Sequence, residues 1–148
     1  MPNAITWQGA PTLRATVLGT ELNALASAAR TNASAAVANG TNLDTVGYFE
    51  LAVTFGSAPS ADGFIALYLL PALGGSTFAD GSNTVSPGAD SWVINIPLNA
   101  VTSAQNKQVG PVALPPCDFK IIAENKSGQA FPATGSTLKI YTANLEIQ

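Results

Sequence analysis

The chain has 148 residues, 47% apolar and only 10% charged, with six Lys or Arg against nine Asp or Glu for a net charge of −3. That length fits one domain with a single core. The six cations, Arg14, Arg30, Lys107, Lys120, Lys126 and Lys139, are scattered, which argues against nucleic acid as a partner, and the single cysteine, Cys117, excludes an intrachain disulfide and a thiolate metal cluster.

Residues 1–19 carry Pro2, Gly9, Pro11 and Gly19, with Trp7, Leu13, Val17 and Leu18 spaced without a firm period. Such punctuation predicts an extended arm with isolated anchors, Trp7 being either folded back onto its own core or docked on a neighbouring subunit. The arm lacks the positive n-region and apolar h-region of a secretory signal, and no stretch approaches the roughly 20 apolar residues of a membrane helix. The expectation is a chain made in the cytoplasm, with no membrane partner. A body is expected over residues 20–148.

Thr20 can cap a short helix over residues 21–30, in which Leu22, Leu25, Ala26 and Ala29 form an apolar stripe and Arg30 meets the C-terminal dipole. A short strand is expected at 34–38, closed by Asn39-Gly40. Phe49, Leu51, Val53 and Phe55 then alternate with Tyr48, Glu50, Ala52 and Thr54, the pattern of a strand with one buried face. After the loop at 56–63, residues 64–70 are apolar on both faces and predict a central strand covered on both sides.

The excursion at 71–87 holds a single aromatic, Phe78, among Gly, Ser, Asn and Asp. Loops of this length are often contact surfaces, although one that packs on itself around Phe78 fits equally. Trp92, Ile94, Ile96 and Leu98 mark a further strand, whose end Pro97 places either at a sheet edge or where the strand bends. Strands follow at 108–114 and 118–124, the latter expected to turn at Asn125-Lys126-Ser127-Gly128 into a hairpin with Gln129-Ala130-Phe131. The last strand spans 137–142, and Leu145 and Ile147 either add one more or clasp a partner. About eight strands at this spacing, with no crossover helices, select an all-β antiparallel β-sandwich, with jelly-roll connectivity favoured.

Chemistry is sparse. The absence of histidine removes the usual general base and metal ligand. Asp44, Glu50, Asp62, Asp80, Asp90, Asp118, Glu124 and Glu146 are dispersed and sit mostly in turn-like contexts. Asp80-Gly81-Ser82-Asn83 clusters hard oxygens but lacks the spacing of a calcium loop. Neither enzymatic activity nor a cofactor or metal is expected. The low charge suits a protein that sits against neighbours, with Trp7, Leu13, Phe78, Asp80, Leu145 and Ile147 as candidate contact residues.

Taken in order, Gly47-Tyr48-Phe49-Glu50-Leu51, Leu67-Tyr68-Leu69-Leu70-Pro71, Phe78-Ala79-Asp80-Gly81-Ser82, Leu114-Pro115-Pro116-Cys117-Asp118-Phe119-Lys120, Asn125-Lys126-Ser127-Gly128 and Gly135-Ser136-Thr137-Leu138-Lys139 resemble the small structural proteins of tailed bacteriophages. More narrowly, they are similar to capsid decoration, or cement, proteins. The likeness covers residues 20–142. It implies a virion protein that binds the major capsid protein on the outside of an assembled shell, commonly as a homotrimer, and stabilises it without turnover. A tail or baseplate component is the nearest alternative. A carbohydrate-binding sandwich is another, although Trp7, Trp92, Tyr48, Tyr68 and Tyr141 do not converge on one loop.

Overall fold

The structure, a computed structural model, describes residues 5–7 and 9–147. It is an antiparallel β-sandwich of nine strands: β1 (Ile5–Trp7), β2 (Thr12–Leu18), β3 (Val46–Val53), β4 (Phe64–Pro71), β5 (Trp92–Pro97), β6 (Gln105–Ala113), β7 (Phe119–Lys126), β8 (Thr137–Ala143) and β9 (Leu145–Ile147). One sheet has the order β2-β8-β3-β6, the other β5-β4-β7, and β1 pairs with β9 in a separate ribbon.

The outer edge of β7 is not bare. Bridges from Arg30 to Glu124 and from Val37 to Phe119 lay residues 30–37 along it. In this segment the N–H groups of Thr31, Ser34 and Val37 donate to the carbonyls of Ala123, Ile121 and Phe119 at 2.9, 2.9 and 2.8 Å. Three residues of the segment thus keep pace with two of the strand, so the carbonyls around Thr31 and Ser34 fall out of step with β7, and only at its end does the Val37 carbonyl accept from Phe119 N–H, at 3.2 Å. The hydroxyls of Thr31 and Ser34 take their place, accepting from the N–H groups of Ala123 and Ile121 at 3.1 and 2.9 Å. Thr31, Ser34 and Val37 are buried while the residues between them are wholly or partly exposed. The strand expected at 34–38 is therefore a lacing segment with a period of three.

Counting this lace as the second element, the chain from β2 to β8 has eight elements. The first pairs with the eighth, the second with the seventh, the third with the sixth and the fourth with the fifth. That nesting is a jelly roll, an antiparallel hairpin wrapped into two layers.

Between the layers, Phe49, Leu51 and Val53 of β3 and Leu138 and Ile140 of β8 meet Ile65, Leu67 and Leu69 of β4 and Phe119, Ile121 and Ala123 of β7. Alternation on these strands sends every second side chain inward. Phe55 and Phe131 close the core edge to face, with centroids 5.2 Å apart. The expectation of a doubly covered strand holds for β4: Ala66 and Leu70 on its other face are also buried. The long excursion covers Leu70, with Gly81 so close to Leu70 and Ile122 that a Cβ there would stand 3.0–3.1 Å from their methyl carbons.

Three further expectations are corrected. Residues 21–30 are not a helix; only a single 3-10 turn, Thr20–Leu22, forms, without a side-chain cap. Leu22 is buried as its stripe requires, but the backbone beyond it bonds outward. Ala24 N–H donates to Pro132 O at 2.9 Å, Asn125 N–H to Ala29 O at 2.9 Å, and Ala24 and Ala28 take φ of 53° and 63°, outside any right-handed helix. Nor is the part of the expected arm at Thr12–Leu18 loose. β2 is a full member of the four-stranded sheet, with Val17 and Leu18 buried, its alternation obscured by register shifts on both sides of Ala15 and Thr16. The limb at Ala130-Phe131 makes no strand; Phe131 N–H bonds Leu25 O at 3.0 Å instead.

Candidate functional site

The strand ends define a rigid loop end. Thr12 stands opposite Thr142, Val46 opposite both Ala143 and Ala113, and Pro71 opposite Phe119. The loops 38–45, 72–91 and 114–118 therefore leave the sandwich on the same side as both terminal segments. Asn39 pins this end: its Nδ2 donates to Asp44 O and Pro115 O at 3.0 and 2.7 Å, while its Oδ1 accepts from Asp44 N–H at 2.9 Å. The Asp118 carboxylate accepts from the N–H groups of Asn39 and Gly40 at 3.0 and 2.8 Å, and Arg14 forms an ion pair with Asp44.

On this pinned frame stand exposed large apolar residues. Leu73 is 83% exposed and borders a shallow depression shared with Gly40, Thr41 and Cys117. Leu43, also exposed, is held at φ 55°, a conformation leucine adopts at a cost. Leu13 is exposed on β2, beside the Arg14–Asp44 pair. Sequence reasoning found Leu13 and missed Leu43 and Leu73, which sit among loop residues with no period to single them out.

The other predicted contact residues divide. Trp7 pairs with Leu145 and Ile5 with Ile147 in the β1-β9 ribbon, so the register joins three of them, Trp7, Leu145 and Ile147, in one element. Phe78 is half-buried with the Lys120 ammonium 4.4 Å from its ring centroid, and Ala79 N–H donates to Pro71 O at 3.0 Å, so the excursion packs on its own sheet there. Asp80 is exposed. Ser82 Oγ accepts from Thr84 and Val85 N–H groups at 3.1 and 2.9 Å, which makes the acidic stretch a turn. Among the described residues no group of three His, Cys, Asp or Glu side chains stands together as a metal site.

A second surface lies on the outer face of the four-stranded sheet. Leu13 stands opposite Tyr141 and Tyr141 opposite Tyr48, a cross-strand row over β2, β8 and β3. The row beside it holds Thr16, Lys139, Glu50 and Gln108, again each opposite the next. Glu50 joins the rows: it accepts from Gln108 Nε2 at 2.9 Å, Lys139 Nζ at 3.3 Å and, at the weak limit, Tyr141 OH at 3.4 Å. The Gln108 hydrogen bond is the main influence holding the Glu50 carboxyl below its ordinary range; burial opposes it, and Lys139 and Tyr141 add to it. A groove of about 350 Å³ runs here, walled by Pro11 on one side and Gly110 on the other. The register shift between Gly47 and Phe49 places the Gly110-Pro111 bulge across from Tyr48, where a Cβ on Gly110 would stand 2.8 Å from the Tyr48 ring.

On the other sheet, Glu124 is buried with Tyr68 OH at 2.9 Å and Lys126 Nζ at 2.8 Å. Arg30 reaches across to Ser86 of the excursion at 3.1 Å. This cluster fastens the excursion to the lace. No family model matches the chain, and no curated protein or solved structure is similar to it at a significant level.

Proposed function

We propose that this protein is a non-enzymatic virion structural protein that decorates a bacteriophage capsid, binding the major capsid protein from outside and stabilising the shell. The observation that supports this reading is the loop end, where Leu13, Leu43 and Leu73 stand exposed on a frame fixed by Asn39, Asp44 and Asp118. A backbone frame pinned before contact loses little freedom on binding, and large apolar side chains exposed at one end are the kind of feature that marks an interface. The resemblance of the ordered sequence motifs to those of decoration proteins points the same way. A homotrimer would repeat the patch three times, so that modest individual contacts add up through avidity.

The test uses shells stripped of their decoration. The full chain added back should saturate a fixed number of sites per shell and raise the temperature at which DNA is released. Leu73→Asp, at a side chain that is 83% exposed, should abolish this without altering the fold. Shells that release DNA at an unchanged temperature with the chain bound would overturn the cement role. Binding in a handful of copies per particle would assign the chain to the tail or baseplate instead.

A further inference from the structure

The geometry of the outer sheet face points to a binding site for a neutral saccharide, adjoining the surface assigned to shell contact at Leu13, which stands opposite Tyr141. Its floor is the pair Tyr48 and Tyr141, directly opposite each other on β3 and β8. Alongside runs the polar row of Lys139, Glu50 and Gln108. A pyranose ring presents the same two properties, an apolar face of C–H groups and an equator of hydroxyls. Tyrosine rings offer flat, amphipathic area to the first, while a carboxylate and an amide, fixed by their own hydrogen bond at 2.9 Å, offer acceptors and donors to the second.

The site is built to stay open. Gly110, at φ 144°, is the residue opposite Tyr48, and any side chain there would press on the ring. The exposed Pro11 forms the opposite wall. Across strands, the neighbouring rows carry small residues: Val46 with Ala113 and Ala143 above, Ala52 with Asn106 and Thr137 below. The tyrosines therefore lie in a trough with low borders, long enough for an oligosaccharide to run across the strands. Charge selects among sugars. Lys139 is committed to Glu50 at 3.3 Å, the net charge of the chain is −3, and an acidic saccharide would meet the Glu50 carboxylate; the fit is to a neutral one. Aromatic residues that lie far apart in sequence converge here through strand register, on a sheet face and not on a loop.

The test is a titration of the full chain, followed by amide NMR shifts, with neutral tri- to pentasaccharides of gluco, manno, galacto and N-acetylhexosamine configuration. Expected are saturable shifts confined to β3, β6 and β8, at the millimolar affinities of about 0.1–1 mM usual for shallow sites. Tyr141→Ala should weaken binding by about tenfold or more, Tyr141→Phe, which keeps the ring, by less than about threefold, and Trp92→Ala not at all. Gln108→Ala, at an exposed side chain, gives a second loss of about tenfold should Tyr141→Ala fail to fold. Absence of shifts in these strands with every sugar at about 10 mM overturns the proposal. So does equal binding by Tyr141→Ala and wild type, or tighter binding of a proline-rich peptide than of any saccharide to the same tyrosines.

Discussion

Ser34 and Ile121 are joined twice: Ser34 N–H donates to the Ile121 carbonyl at 2.9 Å, and the Ser34 hydroxyl accepts from the Ile121 N–H at 2.9 Å. A side-chain oxygen thus does what a backbone carbonyl does elsewhere in a sheet. Ser34→Ala would leave a buried strand N–H without its acceptor, and the expected loss is about 1–3 kcal/mol. Thr31→Val, which preserves shape and deletes the oxygen bonded to Ala123, should cost a similar amount. Urea unfolding measures both, and a loss within error of zero for both would mean the lace does not need its hydroxyls.

Leu43 is predicted to trade stability for adhesion. At φ 55° and exposed to solvent, it sits in a conformation that costs a leucine about 1–2 kcal/mol and an asparagine less. Leu43→Asn should raise the unfolding midpoint by an amount equivalent to about 1 kcal/mol while weakening attachment to stripped shells. A gain in stability with undiminished shell binding would remove Leu43 from the contact surface.

Gly110→Ala should be among the most damaging single-methyl changes in the molecule. The added carbon would lie 2.8 Å from Tyr48 Cδ1 and 2.9 Å from Gly47 O, at a φ of 144°. The expected loss is about 2 kcal/mol or more, together with altered near-ultraviolet circular dichroism as the Tyr48 ring is displaced.

Asn125 is fully buried, and its amide ties three segments: Nδ2 donates to Leu25 O, Ala26 O and Gln129 O at 3.0, 3.2 and 2.8 Å, and Oδ1 accepts from Ser127 N–H and Oγ at 3.0 and 2.6 Å. Asn125→Asp replaces the donor with a carboxylate facing three carbonyls and should cost about 3 kcal/mol or more. Thermal unfolding checks it; a fall in midpoint no larger than that of an exposed-site control would contradict the network.

Acid should unfold the protein through two carboxylates. Gln108 chiefly holds Glu50 low; for Glu124, burial is the largest single influence and raises it, but Lys126, Tyr68 and Arg30 together outweigh burial and leave it lowered. With folded values below the unfolded value of about 4.3, their contribution is present above that pH and disappears as pH falls through the folded values. Lys126→Met should make the acid limb of a stability–pH curve shallower. At the other extreme, burial and the neighbouring Glu124 raise the Tyr68 phenol, so stability should also decline above about pH 10 as the unfolded chain releases that proton first.

How much of this was legible beforehand depends on which residues carried a period. β4 was readable because Ile65, Leu67 and Leu69 face the core while Ala66 and Leu70 are buried on the other face, so both faces are apolar. The lace was not, because Thr31, Ser34 and Val37 recur every third residue, a spacing that belongs to neither strand nor helix. The helix expected from Leu22 and Leu25 failed for a reason outside its own window: Asn125, a hundred residues away from Leu25, takes that carbonyl. Leu13 was legible as an isolated apolar residue in a stretch that reads as an arm, whereas the Tyr48, Tyr141 and Gln108 cluster needed the register of β3, β6 and β8, which alternation alone does not fix.

The nested pairing carries a consequence for synthesis. β2, the lace and β3 emerge from the ribosome first, yet their partners β8, β7 and β6 emerge in reverse order and late. Only β4 and β5 find each other early. A chain arrested before Thr137 would therefore display unpaired strand edges with nothing to seal them, and such stalled products should precipitate or engage chaperones where the finished molecule does not.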